Sequence, residues 1–206
     1  MQFYTFPASA NCRKVAAVAQ ELGIKLEENI VDFMKGGHKA PEYLKINPNG
    51  KVPSLVDGDL KLWESNAIMS YLCSKVDSTD LWPKSDARYD IMRWMYWELA
   101  HFGPPCDTFA FENVLKGMIG AGDPDAAALA KATADFNRHG AVLDAHLAGR
   151  KYLTGDKPTI ADIAVASHLT YAVPGKIPVD GFKNIVAWNS ALNEMPGWRD
   201  TAPKMG

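Results

Sequence analysis

The sequence has no C-x-x-C pair and no H-E-x-x-H, and its 206 residues include only three cysteines, Cys12, Cys73 and Cys106. Those absences exclude a zinc knuckle, a dithiol redox motif and a zincin site. Three widely spaced thiols suit a reducing compartment, so the expected location is the cytoplasm. None of the histidines (His38, His101, His139, His146, His168) has neighbours that complete a ligand set, and neither a metal nor a nucleotide site is expected. No stretch approaches the roughly 20 apolar residues of a membrane span, and no basic stretch followed by an apolar core opens the chain. There is no excess of either charge: 22 Lys and Arg stand against 24 Asp and Glu, for a net charge of −2. The first 80 residues hold 9 basic and 10 acidic groups and the rest 13 and 14, so neither half offers the footprint of a nucleic-acid binder. With 47% hydrophobic residues the chain can bury a sizeable core without staples. A soluble protein that handles a small molecule is what remains.

The chain reads as two unlike halves. Met1 to Phe6 is aromatic-rich and predicts a strand ending at Pro7. Val15, Val18, Ala19 and Leu22 fall at helical spacing, and Gly23 ends the pattern. Lys25 to Asp32 predicts a second strand, offering Ile24, Leu26 and Ile30 to a core. A short helical stretch follows around Pro41 to Leu44, and then the turn Asn47-Pro48-Asn49-Gly50. Val52 to Val56 and Asp59 to Leu62 flank Asp57-Gly58, a strong hairpin signal. Ser65 then stands where an N-cap belongs, ahead of Ile68, Met69, Tyr71 and Leu72. This order predicts a compact α/β unit. Asp77 to Asp86 reads as a linker, and beyond it strand signals almost vanish. Arg88–His101, Ala126–Leu147, Thr159–Leu169 and Val186–Met195 predict helices, with Thr159 and Asp162 as a capping pair.

Two short motifs suggest chemistry. Pro53 follows a turn and opens a strand, a place where a cis bond would leave the Val52 backbone groups to pair with an extended ligand; a plain trans proline at a strand edge is the alternative. At Glu64-Ser65, a helix start suits a carboxylate and the preceding glutamate suits an ammonium group, so the pair suits an amino-acid zwitterion; a simple cap beside a solvated glutamate is the alternative.

Five segments now fall in order: Pro7-x-Ser9-x-Asn11-Cys12-Arg13-Lys14-Val15, His38-Lys39-x-Pro41-Glu42, Asn47-Pro48-x-Gly50-Lys51-Val52-Pro53, Glu64-Ser65-x-Ala67-Ile68, and Leu153-Thr154-Gly155-Asp156 with Thr159-Ile160-Ala161-Asp162. Together they resemble the cytosolic glutathione S-transferases across essentially the whole chain, with a flavour of the bacterial, serine-type theta-like or nu-like members. The resemblance implies an α/β plus all-α architecture: a thioredoxin-like glutathione-binding domain over residues 1–76, then an all-helical domain over residues 87–206 forming the electrophile pocket. It implies glutathione as co-substrate, a hydrophobic electrophile as acceptor, and a homodimer.

Carried onto this chain, the resemblance gives Val52, before a cis Pro53, the cysteinyl backbone of glutathione. Glu64 and Ser65 take the γ-glutamyl zwitterion, and Lys39, His38 and Lys51 line the trough for the glycyl carboxylate. A free thiol titrates near 8.5, so a donor aimed at the sulfur is needed to hold it as thiolate at neutral pH. Ser9 is the first candidate and Asn11 the rival; as an ordinary loop serine, Ser9 would simply cap the helix. Cys12, close to the helix start, is either a reactive thiol or part of a buried first turn. Phe6 and Met34, with His101 and Phe102 from the helical half, are the expected electrophile pocket, although aromatics such as Trp97, Phe109 and Phe111 equally suit a core. Two other functions remain open: glutathione-dependent reduction of a disulfide or peroxide, raised by Asn11, and a non-catalytic carrier or interaction protein of the same fold.

Overall fold

The computed structural model describes residues 1–203. Contacts divide the chain into two compact units: Met1–Trp82 together with the chain from Glu194 on, and Pro83–Asn193. The helical unit therefore stops before the C-terminal tail, which was expected to belong to it.

In the first unit, strand β1 (Gln2–Thr5) runs parallel to β2 (Glu27–Ile30) and antiparallel to β3 (Ser54–Asp57), which pairs antiparallel with β4 (Leu60–Trp63). The sheet order β2-β1-β3-β4 is that of a thioredoxin-like domain. Alternation along β1 turns Phe3 and Thr5 inward, and Leu55 of β3 pairs opposite Phe3. Helix α1 (Ala10–Glu21) buries Val15, Ala17, Val18 and Ala19 against α3 (Ser65–Cys73), which contributes Ile68, Met69 and Leu72. Each such aliphatic side chain removed from water contributes about 1.5–3 kcal/mol. Ile30, expected in the core, is 57% exposed; β2 is an edge strand, and it is Val31, just beyond it, that is buried.

The tail joins this unit through α10 (Pro196–Asp200). The Arg13 guanidinium lies 3.6 Å from the Trp198 ring centroid and donates to the Trp198 carbonyl at 2.9 Å. The Glu21 carboxylate accepts the Gly197 N–H at 2.5 Å. Trp198 packs against α1.

The second unit contains α4 (Ala87–Trp97), α5 (Gly103–Ala110), α6 (Lys116–Met118), α7 (Ala126–Leu147), α8 (Ile160–Ser167) and α9 (Lys183–Leu192). Wider π-type turns, Glu98–Phe102 and Phe111–Leu115, join α4 to α5 and α5 to α6, so the single helix expected from Arg88 to His101 continues beyond it. Every residue of α8 is buried. Its capping pair forms as expected: Asp162 accepts from the Thr159 N–H at 2.8 Å and the Thr159 hydroxyl at 3.1 Å. The other carboxylate oxygen accepts from the Leu153 N–H at 2.8 Å and the Trp188 indole at 2.9 Å. Burial pushes the Asp162 carboxyl up while these four donors pull it down. Among the described residues, no helix is long and apolar enough to cross a membrane.

The π turn beside α5 carries a buried ion pair. His168 Nε2 lies 2.5 Å from Glu98 Oε2, and its Nδ1 lies 3.2 Å from Asp107 Oδ1. Gly103 makes room for the ring, since an added Cβ would sit 2.6 Å from His168 Cε1. Burial alone would lower the imidazole, but the two carboxylates raise it to about 9. The unfolded imidazole titrates near 6.5, so the contribution to stability is fully present below that pH and is lost as pH rises through about 9. Chemical denaturation at successive pH values should show stability falling across this window, and His168→Gln should flatten the dependence. A wild-type protein equally stable at both ends would contradict this assignment.

Candidate glutathione site

Residues 7–12 lead from β1 into α1, and Ser9 caps the helix: its Oγ accepts the Cys12 N–H at 3.3 Å, with φ −85° and ψ 118°. The cap uses the oxygen as acceptor, and the hydroxyl proton has the Cys12 sulfur behind it as one acceptor within reach. Asn11 is exposed, one residue into the helix. Cys12 points into the core; burial pushes its thiol up, with the Ser9 hydroxyl chief among the groups pulling it down. A protonated, buried thiol is not a nucleophile, so Cys12 takes the buried-turn alternative. The other two cysteines are also buried and unbridged.

The Val52-Pro53 bond is cis. Pro53 is buried, and the ladder of β3 begins at Ser54, so Val52 stands outside it. The Lys51 carbonyl accepts two hydrogen bonds, from the Asn47 amide at 2.7 Å and the Tyr43 hydroxyl at 2.5 Å. Gly50, with φ +60°, brings this turn against the His38 segment; a Cβ there would lie 2.8 Å from the His38 carbonyl oxygen. That contact places Lys51 near His38 and Lys39, the group expected around the glycyl carboxylate. Both lysines are exposed. The His38 ring stacks on Phe33 at 4.5 Å, and Phe33 meets Phe6 at 5.2 Å. The buried His38 Nδ1 has no hydrogen-bond partner.

The start of α3 departs from expectation. Ser65 is its first residue, and Glu64, with φ 69° and ψ 110°, is the cap. The Glu64 side chain makes no capping bond, and the first turn of α3 carries no acidic residue. Ser65 turns inward and donates from Oγ to Asn11 Oδ1 at 3.2 Å. That contact joins the segment read as the zwitterion holder to the loop read as the thiol activator. With Oδ1 facing Ser65, the Asn11 amide N–H groups face elsewhere.

Four residues were expected to line an electrophile pocket. Phe6 is half-buried against Phe33, and Met34 is 84% exposed. His101, in the second unit, is exposed and stacks on His139 at 5.1 Å. Phe102 is corrected: it is wholly buried, 5.5 Å from both Trp97 and Phe136, because the π turn carries it into the helical core. Phe109 is core as well. Sequence reasoning passed over Tyr43 and Asn47, which hold the Lys51 carbonyl. A buried Asn in a turn motif was the available signal, but its second bond is invisible without the fold.

A thioredoxin-like domain with a cis-proline loop and with the start of α3 hydrogen-bonded to the start of α1, followed by a helical unit, sets the class of this two-unit protein. Residues 1–74 match the family model "Glutathione S-transferase, N-terminal domain" and residues 126–200 match "Glutathione S-transferase, C-terminal domain". Glutathione S-transferase 3 of Zea mays is 37% identical over 206 residues, covering 98% of this chain and 92% of that one. Glutathione transferase F7 from Populus trichocarpa superposes with TM-score 0.90 at 26% identity, covering 98% of this chain and 97% of that one. Glutathione transferase URE2P6 from Phanerochaete chrysosporium, solved with oxidized glutathione, gives TM-score 0.85 at 31% identity, with 97% and 93% covered. The chain belongs to the glutathione S-transferase family. It is a glutathione transferase, with glutathione as co-substrate. Its curated relatives from Zea mays and Oryza sativa are plant phi-type proteins and give no support to the bacterial theta-like or nu-like subtype.

A non-glycine residue at the Glu64 conformation costs of order 1–3 kcal/mol. Glu64→Gly relieves that strain but frees the unfolded chain, so stability should hold or rise by up to about 1 kcal/mol. Glutathione affinity should fall with the loss of the carboxylate. Thermal denaturation and calorimetric titration check the two opposed effects; a clear loss of stability would argue against strain at this position.

Proposed function

We propose that this chain binds glutathione along the ends of β1, β3 and α3, holds its thiol as thiolate with Ser9, and transfers the sulfur to a hydrophobic electrophile. The observation that carries the reading is the Ser65 to Asn11 hydrogen bond, which links residues 54 apart and joins the start of α3 to the start of α1. Glu64 would meet the γ-glutamyl ammonium group, and Ser65 with the start of α3 its carboxylate. The Val52 backbone would pair with the cysteinyl residue, and Lys39, His38 and Lys51 would face the glycyl carboxylate. Ser9 supplies a hydroxyl donor for the sulfur at the start of α1, where the helix dipole also favours an anion. Asn11, held by Ser65, would add an amide donor on the same side.

The chemical step is attack of the glutathione thiolate on the electrophilic carbon. A C–S bond forms, and the leaving group departs with the electron pair of the bond that breaks. The protein contributes positioning and thiolate stabilisation; its own buried Cys12 takes no part. Phe6 and Met34 are the apolar residues of the first unit we assign to the acceptor side. The family relationship supports a cytoplasmic homodimer. Assays with a chlorinated nitroaromatic and with a small disulfide, each with glutathione, separate conjugation from reduction. Conjugation should be the faster. Faster reduction would favour the reductase reading, and inactivity on both would contradict an enzymatic role.

A further inference from the structure

We propose that Asn47, together with Tyr43, is a positioning residue for glutathione: the two fix the plane of the Lys51–Val52 peptide, whose N–H faces the cysteinyl part of the ligand. This rests on the reading above that Val52 pairs its backbone with glutathione.

The Lys51–Val52 bond is trans, since Val52-Pro53 is the cis bond recorded among the described residues. In a planar trans peptide the C=O and N–H point in opposite directions, so fixing one fixes the other. The Lys51 carbonyl is fixed by two donors, Asn47 Nδ2 at 2.7 Å and the Tyr43 hydroxyl at 2.5 Å, which use both its lone pairs. Strand pairing cannot do this job, because the β3 ladder starts at Ser54. Without the two side chains, the peptide presented to the ligand would be free to rock.

Both donors are themselves held. Asn47 is 2% exposed, and its N–H donates to the Tyr43 carbonyl at 2.9 Å, which carries it on the end of α2 (Pro41–Leu44). Its Oδ1 accepts from the Asn49 N–H at 3.0 Å and the Asn49 side-chain amide at 3.1 Å. Those acceptors and donors settle which way the amide points. Tyr43 is buried, and burial pushes its phenol up, so it keeps the proton it donates. That single proton goes to Lys51, so the 3.0 Å contact with Ser54 is one in which the serine hydroxyl donates to the phenol.

The turn alone does not explain the choice of asparagine. An Asx turn uses only the Oδ1 contact to Asn49, which an aspartate makes equally well. The Nδ2 contact to Lys51 requires the amide. Asn47→Asp therefore keeps the turn and places a carboxylate against the Lys51 carbonyl, whereas Tyr43→Phe keeps the buried ring and removes only its hydroxyl.

The experiment measures glutathione dissociation constants by calorimetry, and kcat and KM for glutathione and for a chlorinated nitroaromatic, on the full chain and both variants. For Asn47→Asp, Kd and KM for glutathione should rise about tenfold, and for Tyr43→Phe several-fold, in line with one lost hydrogen bond each. The aromatic's KM, and kcat at saturating glutathione, should stay within twofold. Should Asn47→Asp fail to fold, Tyr43→Phe decides the matter by the same criteria. Variants that bind glutathione within twofold of wild type would overturn the proposal. So would a loss shared equally among kcat and both KM values, the mark of a merely structural role. A wild-type protein that does not bind glutathione would instead overturn the underlying assignment of Val52.

Discussion

The hydrogen bond from Ser65 Oγ to Asn11 Oδ1 is the contact on which the candidate site turns. It is short-range in space and long-range in sequence, and it ties the start of α3 to the start of α1. The two helices pack on each other, and α3 also rests on β3 and β4, so a shift in either would move the residues assigned to the two ends of the ligand relative to one another. The bond also orients two groups at once. Ser65 is turned toward the site, and the Asn11 carbonyl oxygen is occupied, which leaves its amide hydrogens for other acceptors.

Around that contact the chain makes limited use of charge. Glutathione carries carboxylates at both ends and an ammonium group at one, and the residues assigned to them, Glu64, Lys39 and Lys51, are exposed. Exposed ion pairs are each worth only about 0–1 kcal/mol, so specificity must come from fixed backbone as much as from charge. Two pieces of backbone are held by named side chains, the start of α1 by Ser9 and the Lys51–Val52 peptide by Asn47 and Tyr43, and the start of α3 is set by the positive φ of Glu64. Ser9 serves two ends. Its oxygen closes the helix, and its proton is the one we assign to the ligand's thiolate. Behind it, buried Cys12 stays protonated, so the reactive sulfur is the one the ligand brings.

What was legible in the sequence was local. The hairpin at Asp57-Gly58, the Thr159 and Asp162 capping box and the two-part organisation all follow from spacing of a few residues, and all are present. The family motifs were legible for the same reason: each is a turn or a helix start whose residue types are dictated on the spot. What was not legible depends on partners far along the chain. Asn47 reads as a turn residue until Lys51 is seen folded against it. Phe102 reads as a pocket aromatic until the π turn is seen to rotate it inward. Ile30 alternates correctly for a core strand but sits on an edge. The His168 pair spans 70 residues to Glu98, and the tail reaches Arg13 across 185. Glu64 looked like the residue before a cap; only backbone angles reveal it as the cap itself.

The central claim is that Ser9 stabilises the thiolate of bound glutathione. Titrating the ultraviolet absorbance of the bound thiolate gives its pKa directly, in the wild-type protein, in Ser9→Ala and in Asn11→Ala. The wild-type complex should titrate well below the free thiol, Ser9→Ala should raise that value by about 1–2 units, and Asn11→Ala should raise it less. An unchanged pKa in Ser9→Ala, with the rise appearing in Asn11→Ala, would contradict the account and assign the thiolate to the asparagine.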